Sequence, residues 1–125
     1  MIIRKYTKDD ANALMNIIEA EEGWDFFIRP DNAEKYQELL ANSITYVAYS
    51  KDTLCGYVRA IKDGDFFIFV SELLVSKKCR GKSIGKKLME SICEDYTQTV
   101  YVMSDIDQYY EKQGYKREGS VFKIR

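Results

Sequence analysis

The sequence predicts a mixed α/β domain with a largely antiparallel sheet. Apolar residues recur at helical spacing near the N-terminus and again after residue 83. Between residues 44 and 76, three segments are rich in β-branched and aromatic residues, and short polar links join them as in a meander. A chain of 125 residues without an internal linker is expected to form one domain over residues 1–125.

The first half of the chain predicts a strand and two helices before the meander. IIRKYT opens as a short strand, and a helix begins at Thr7, whose pairing with Asp10 resembles a capping box, and ends at Gly23. DNAEKYQELLAN predicts a second helix, after a loop that holds the only proline. The three strands that follow are ITYVAYS, LCGYVRAI and FFIFVSELLVS.

The second half returns to helical spacing in GKSIGKKLMESICEDY. TVYVMS then predicts a strand, DIDQYYEKQG a short helix, and YKREGSVFKIR a closing strand or hairpin. The predicted order is therefore β-α-α-β-β-β-α-β-α-β, with room for one more strand at the end.

Composition excludes several classes of function. The net charge is -1 with interspersed signs, so no basic field for nucleic acid is indicated. No apolar run has the length of a membrane span, and the first residues do not read as a secretory leader. Three cysteines without a C-x-x-C pattern favour a reduced, cytoplasmic protein. The absence of histidine excludes Ser-His and Cys-His nucleophile pairs and histidine zinc sites, and we expect no metal.

The segment CRGKSIGKKL, residues 79–88, lies between a predicted strand and a predicted helix. Unpaired amides at a helix start, the helix dipole and nearby lysines favour a pyrophosphate there, and glycine permits close approach. The alternative is an exposed basic loop that Ser83 caps onto the helix. A second ligand-binding alternative is a P-loop, because Gly81, Lys82 and Ser83 match its end. Ser76 stands where that motif needs its first glycine, and too few βαβ units follow.

Two motifs in the second half resemble the GNAT superfamily of N-acetyltransferases. SELLVSKKCRGKSIGKKLME contains the [QR]-x-x-G-x-[GA] pattern, with Arg80, Ser83 and Gly85 at its defined positions and serine where the family usually has glycine. YYEKQGY, which begins at Tyr109, is similar to the family's FYEKLGF. The resemblance implies a single-domain GNAT-like fold, a mixed, mostly antiparallel sheet with helices on both faces, and acetyl-CoA as co-substrate.

The resemblance also implies where coenzyme A binds. The pyrophosphate-binding loop would consist of Arg80, Gly81, Lys82, Ser83, Ile84 and Gly85. Main-chain groups of Leu73, Leu74 and Val75 would pair with the pantetheine arm like an added strand. In this family the fourth strand bulges and diverges from the fifth, which opens that slot.

The implied chemistry is direct acetyl transfer to an amine, which must lose a proton before it attacks. Glu72 is the candidate base, and a water chain is the alternative base. Glu72 could also be an outward-facing strand residue without a catalytic role. Tyr110 matches the family tyrosine that protonates the leaving thiolate; otherwise it is a packing tyrosine.

The acceptor is predicted to meet the loop between the first two helices. An aromatic wall would be formed there by Trp24, Phe26 and Phe27, and Arg29 would orient a polar group of the acceptor. The alternative is that at least two of the three aromatic side chains pack onto the core. The acceptor is a small-molecule or peptide amine. Exposed sheet edges and aromatic residues are compatible with a homodimer. A non-catalytic acyl-CoA-binding or regulatory module on the same fold is the alternative function.

Overall fold

The computed structural model describes all 125 residues and gives five strands and four helices. In chain order they are β1 (Ile2–Lys5), α1 (Ala11–Glu19), α2 (Ala33–Asn42), β2 (Ile44–Ser50), β3 (Thr53–Asp63), β4 (Phe67–Val75), α3 (Ile84–Asp95), β5 (Thr99–Val102) and α4 (Asp107–Lys112). Single 3₁₀ turns lie at Lys8–Asp10, Asp25–Ile28 and Lys77–Cys79. No helix is long and apolar enough to cross a membrane.

The sheet follows chain order, β1-β2-β3-β4-β5. The first four strands are antiparallel, and β5 lies parallel to β4 after the crossover through α3. The predicted class, a mixed and mostly antiparallel sheet, is confirmed.

The predicted capping box also forms, since the Thr7 N–H donates to Asp10 Oδ2 at 2.8 Å. It opens a 3₁₀ turn, and α1 ends at Glu19 rather than continuing to Gly23.

Helices cover both faces of the sheet, as expected. On one face, α3 buries Ile84, Leu88 and Ile92 against strand residues such as Val58 and Ile68. On the other face, residues of α1 and α2 and residues of the strands form a second buried cluster. That cluster consists of Leu14, Ile18, Tyr36, Leu40, Val47, Leu54, Tyr57 and Leu74. The alternation of strand side chains between the two clusters follows the two-residue period of a strand.

A β-bulge at Ser71 interrupts that period in β4. Arg59 is paired with Glu72 but Ala60 is paired with Val70, so Ser71 is the extra residue on β4. Before the bulge, Val70 faces the α3 cluster, whereas after it Leu74 faces the α1–α2 cluster. The bulge therefore turns Glu72 away from α3.

The β4 and β5 strands part after the bulge. Their pairing runs from Phe67–Thr99 to Val70–Val102, and the last contact is the Met103 N–H donating to Val70 O at 3.3 Å. Residues 71–75 therefore have no strand neighbour on the β5 side. This divergence leaves an open backbone edge on β4, which faces a gap between β4 and β5.

The predicted closing strand is wrong. No strand forms between residues 113 and 125, and Val121, Phe122 and Ile124 are 67%, 78% and 93% exposed. A strand needs a partner edge for its N–H and C=O groups, and the four-residue β5 offers few such groups. Local apolar sequence alone therefore does not make a sixth strand, and the sheet stays open.

Candidate functional site

The open edge of β4 directs alternate backbone groups toward the gap. In an antiparallel pair, alternate residues point both N–H and C=O at the same neighbour. The Ser76 N–H donates to Cys55 O on β3 at 2.8 Å, and Leu74 O lies close enough to Gly56 to collide with an added methyl group. Leu74 therefore faces β3, and the backbone groups of Leu73 and Val75 face the gap.

The loop before α3 holds two left-handed residues. Gly81 has φ +82° and Ser83 has φ +60°. A left-handed conformation costs an L-residue roughly 1–2 kcal/mol, which explains why glycine suits position 83. Ser83 makes no side-chain cap, so the capped-loop alternative is wrong in that detail. The first-turn amides of α3 therefore remain without a side-chain acceptor from this residue.

Gly85 lies where three elements meet. It is buried in the first turn of α3, and an added methyl group would collide with the Tyr109 hydroxyl of α4 and lie 3.6 Å from Leu73 Cδ2 of β4. The start of α3, the side chain of Leu73 on β4 and Tyr109 of α4 thus come together at Gly85. A cavity of about 370 Å³ lies on the β5–α4 connection and is lined by residues 104–108.

Arg80 fixes the entrance of the loop. Its Nε donates to Val75 O at 2.9 Å, and its Nη2 donates to Glu21 Oε1 at 2.8 Å. The Nη1 group has no partner in the chain. Lys82 is exposed, whereas Ile84 is 2% exposed and part of the α3 core. Of these predicted residues, Ile84 can therefore reach a ligand only through its backbone.

Glu72 lies in a buried ion pair rather than on an outward face. Arg59 Nε is 2.6 Å from Glu72 Oε1, and Arg59 Nη2 is 2.7 Å from Oε2. The two side chains are 7% and 9% exposed. Tyr36 donates to Glu72 Oε1 at 2.6 Å, so Tyr57, whose hydroxyl is 2.6 Å from that of Tyr36, donates to Tyr36. Oε2 keeps an acceptor position open.

Electrostatics keep Tyr36, Tyr57 and Arg59 of this network in one protonation state. Burial raises the pKa values of Tyr36 and Tyr57 far above the ordinary tyrosine value, so both hydroxyls stay protonated at neutral pH. Burial alone would lower the pKa of Arg59, but the hydrogen bonds and charge interactions with Glu72 and Tyr36 together outweigh it, and the pKa is raised. The guanidinium is therefore charged at any working pH.

Three members of this network, Tyr36, Tyr57 and Arg59, were not predicted from the sequence. Tyr36 and Tyr57 read as ordinary core aromatics, and nothing local links them to Glu72. Arg59 does carry a signal, because it is the one charged residue inside the apolar run LCGYVRAI. Charged side chains are almost never fully buried without a partner, so Arg59 implies a buried carboxylate.

Tyr110 projects from α4 beside Tyr109. The two rings are perpendicular with centroids 5.0 Å apart, and Tyr110 is half-buried against the α3-side core. Its hydroxyl has no hydrogen-bond partner in the chain. Burial, followed by the neighbouring Tyr109 and Asp105, raises the pKa of Tyr110 to about 12. The hydroxyl is therefore a protonated donor at neutral pH.

The predicted acceptor loop divides into packed and exposed aromatics. Phe27 stacks on Tyr36 with centroids 4.2 Å apart, and Trp24 is half-buried against the same core cluster. Phe26 is 57% exposed, with the Arg29 guanidinium 5.6 Å from its ring centroid. Two of the three aromatics thus contact the core. Phe27 links the loop through Tyr36 to Glu72.

Comparisons with known proteins place this geometry in a family. The sequence model described as the acetyltransferase (GNAT) domain matches residues 41–117, which is more than half of the chain. The chain belongs to the GNAT acetyltransferase family. No curated protein sequence matches it significantly. The family match includes β4, the α3 loop and the α4 tyrosines, the features that border the gap.

Solved structures of other proteins share the fold. An aminoglycoside 6'-N-acetyltransferase complexed with coenzyme A is 20% identical, with a TM-score of 0.78 over 95% of this chain and 87% of that one. An aminoglycoside acetyltransferase from an uncultured soil metagenomic sample, in complex with sisomicin, is 21% identical, with a TM-score of 0.75 over 99% and 95%. A transcriptional regulator from Bacillus halodurans C-125 is 16% identical, with a TM-score of 0.76 over 99% and 98%.

Proposed function

We propose that this chain transfers an acetyl group from acetyl-CoA directly to an amine of a small molecule or a peptide. The observation that carries the proposal is the divergence of β4 from β5 after Val70, which leaves an open strand edge that leads to the left-handed loop before α3. An extended amide chain fits a strand edge, and a pyrophosphate fits a helix start. Membership of the GNAT family and the neighbour complexed with coenzyme A support the same ligand.

The α3 loop would hold the pyrophosphate through its backbone. Gly81 adopts a conformation that glycine favours, and Gly85 leaves the first turn of α3 without a side chain. Lys82 and the free Nη1 of Arg80 would supply positive charge, while Ser83 and Ile84 would contribute amides. The residues present therefore suit a pyrophosphate.

The open edge of β4 would hold the pantetheine arm. The outward backbone groups of Leu73 and Val75 would pair with its amides, as a peptide pairs with a sheet edge. The Val75 carbonyl already accepts from Arg80 and retains a second lone pair. Leu74 faces β3, so its contribution would be to hold the strand in place through its buried side chain.

The proton donor in this proposal is Tyr110. Coenzyme A supplies the thioester that carries the acetyl group. Tyr110 would protonate the departing sulfur, because its hydroxyl is protonated at neutral pH and is not engaged within the chain. Tyr109 would border the same space, where its hydroxyl approaches Gly85.

Glu72 would accept the amine proton through its open Oε2 position, directly or through a water molecule. Arg59 and Tyr36 hold the carboxylate in one orientation, which is how a proton acceptor is positioned. Solvent water remains the alternative base. The bulge at Ser71 is what turns Glu72 toward the α2 side, where Phe27 and the acceptor loop lie.

An amine panel tests the proposed function. Purified protein with acetyl-CoA should release thiol only when a suitable amine is present, and the acceptor should gain one acetyl group by mass spectrometry. Aminoglycosides, polyamines, lysine peptides and free peptide N-termini form the panel, and the sisomicin complex of a neighbour makes aminoglycosides the first to test.

A non-catalytic regulatory or acyl-CoA-binding module is the second candidate. The structural neighbour named as a transcriptional regulator favours it, since that chain shares nearly the whole fold. Such a module would bind coenzyme A and acetylate no member of the amine panel. That result, with binding intact, would contradict the transferase proposal.

A further inference from the structure

Two buried cysteines meet directly before the α3 loop. Cys55 lies on β3 and is 2% exposed, and Cys79 ends the turn after β4 and is 6% exposed. Both thiols are free, and their Sγ atoms are 2.8 Å apart. A disulfide bond requires about 2.05 Å between sulfurs, so a small movement would join them.

The backbone holds the two cysteines in this arrangement. Ser76 N–H donates to Cys55 O at 2.8 Å, and Cys79 N–H donates back to Ser76 O at 2.9 Å. The turn that carries Cys79 is therefore tied to the strand that carries Cys55. The residue after Cys79 is Arg80, which bonds to Val75 and Glu21. A bond at Cys79 would thus act on the entrance of the α3 loop.

We propose that Cys55 and Cys79 form a site of reversible oxidation, at which a peroxide joins the two sulfurs and fixes the α3 loop to β3. The more exposed Cys79 would attack one peroxide oxygen and become a sulfenic acid, with release of one water. The Cys55 sulfur would then displace the hydroxyl group as a second water. Two thiols and one hydrogen peroxide give one disulfide and two waters, so the sulfurs lose the two electrons that the peroxide gains.

The surroundings of Cys79 determine how fast this occurs. Burial and the contact with Cys55 raise the pKa of the Cys79 thiol, while Lys82 and Lys78 act in the opposite direction. The thiolate is the reactive form, so oxidation should be slow at neutral pH and faster as the pH rises. A small peroxide should also reach the buried sulfur faster than a bulky disulfide would.

The cross-link would restrict the chain directly before the α3 loop. It would join residues 24 positions apart and remove conformational freedom from the unfolded state, so the melting temperature should rise. It would also hold the loop in one arrangement before the ligand arrives. If the proposed coenzyme A site is correct, affinity should increase because less ordering remains to be done on binding.

The test uses a Cys93→Ser chain, which removes the exposed third thiol. Hydrogen peroxide should remove both remaining thiols from titration in denaturant, lower the intact mass by two hydrogens and raise the melting temperature by several degrees. Dithiothreitol should reverse all three changes. Cys55→Ala and Cys79→Ala in the same background should fail to lose two hydrogens. Two thiols that still titrate, or a covalent dimer in place of the internal bond, would overturn the site.

A coenzyme A titration of the oxidised and reduced forms tests the link to the loop. The oxidised form should bind with a dissociation constant a few-fold lower. An unchanged or higher constant would overturn that link. If neither form binds coenzyme A, the proposed function fails, whereas the thiol count and mass still decide whether the disulfide forms.

Discussion

At the scale of single residues, Glu72 is defined by its partners. Arg59 contacts both of its carboxylate oxygens, and Tyr36 adds a third hydrogen bond. A buried charge that loses its partner costs far more than the pair contributes when intact. Substitution of Glu72 therefore changes stability as well as chemistry, and a test of its role must separate the two effects.

Glu72→Gln should lower the free energy of unfolding by about 3 kcal/mol, because Arg59 is left buried without a counter-charge. It should also slow acetyl transfer at neutral pH, and less so at high pH, where an amine with a pKa of about 10.4 is already deprotonated. Denaturant unfolding and pH–rate profiles measure the two effects.

The matched control is the double variant Arg59→Met/Glu72→Met. It leaves no buried charge unpaired and should recover most of the lost stability while acetyl transfer stays slow. A Glu72→Gln profile that runs parallel to the parent at every pH would remove Glu72 from the mechanism and leave solvent water as the base.

Tyr110→Phe removes one hydroxyl and little packing. If that hydroxyl protonates the leaving sulfur, kcat should fall on the order of a hundred- to ten-thousandfold, with little change in acetyl-CoA affinity. Because its pKa is about 12, Tyr110 stays protonated through the working range, so the parent should show no loss from its deprotonation below about pH 10. Tyr109→Phe is the neighbouring control. Equal losses in both variants would argue against a specific role for Tyr110.

At the scale of elements, the bulge in β4 and the start of α3 would create the proposed site together. The extra residue, Ser71, turns Glu72 toward α2 and directly follows Val70, the last residue of β4 that pairs with β5. The left-handed loop then brings the first turn of α3 to the open edge of β4, where Gly85 approaches Leu73. Neither element forms the gap alone.

Gly85→Ala tests the start of α3. Its methyl group would enter the space where the pyrophosphate is proposed and would also collide with the Tyr109 hydroxyl. We expect weaker coenzyme A binding, measured by calorimetry. Adding Tyr109→Phe removes the hydroxyl that collides, so stability should recover while binding stays weak.

Ser83→Gly is the positive control for the same loop, since glycine adopts the left-handed conformation without strain. Its coenzyme A affinity should equal or exceed that of the parent. A Gly85→Ala chain that binds as tightly as the parent would show that the pyrophosphate lies elsewhere.

Much of this architecture follows from periodicity in the sequence. The meander and α3 have long or strongly patterned apolar stripes, and these patterns identify elements well. The closing strand failed because strand pattern does not provide a partner edge. The bulge at Ser71 could not be predicted from the sequence. An inserted residue reverses which strand side chains face each side of the sheet, but it leaves the composition of the strand unchanged.

The parts of the candidate site that lie on one continuous segment could be predicted from the sequence. The parts in which distant segments meet could not. The loop before α3 and the tyrosine pair of α4 are continuous motifs, so they can be found in the sequence. The ion pair of Arg59 with Glu72, the hydrogen bond from Tyr36 to Glu72 and the hydrogen bond from Tyr57 to Tyr36 join residues 13 to 36 positions apart. Only the sheet register and the packing of α2 bring these residues together.

At the scale of the whole molecule, one ligand would connect both halves of the sheet. Coenzyme A is proposed to fill the gap between β4 and β5 and to contact the start of α3, and the acceptor is proposed to lie on the α1–α2 side near Phe27. The chemistry would therefore occur at the bulge, where the strands part and both faces are accessible. Binding in the gap should stabilise the fold as a whole, because the unfolded chain has no such edge.

The most direct test of this account is a thermal melt in rising acetyl-CoA, with ATP and magnesium as the comparison. At a ligand concentration of 100 times its dissociation constant, stability should increase by about 2.7 kcal/mol, seen as a rise of several degrees in the melting temperature. ATP with magnesium should give no comparable rise. A melting temperature that responds to ATP with magnesium and not to acetyl-CoA, or to neither, would contradict the assignment of the gap to coenzyme A.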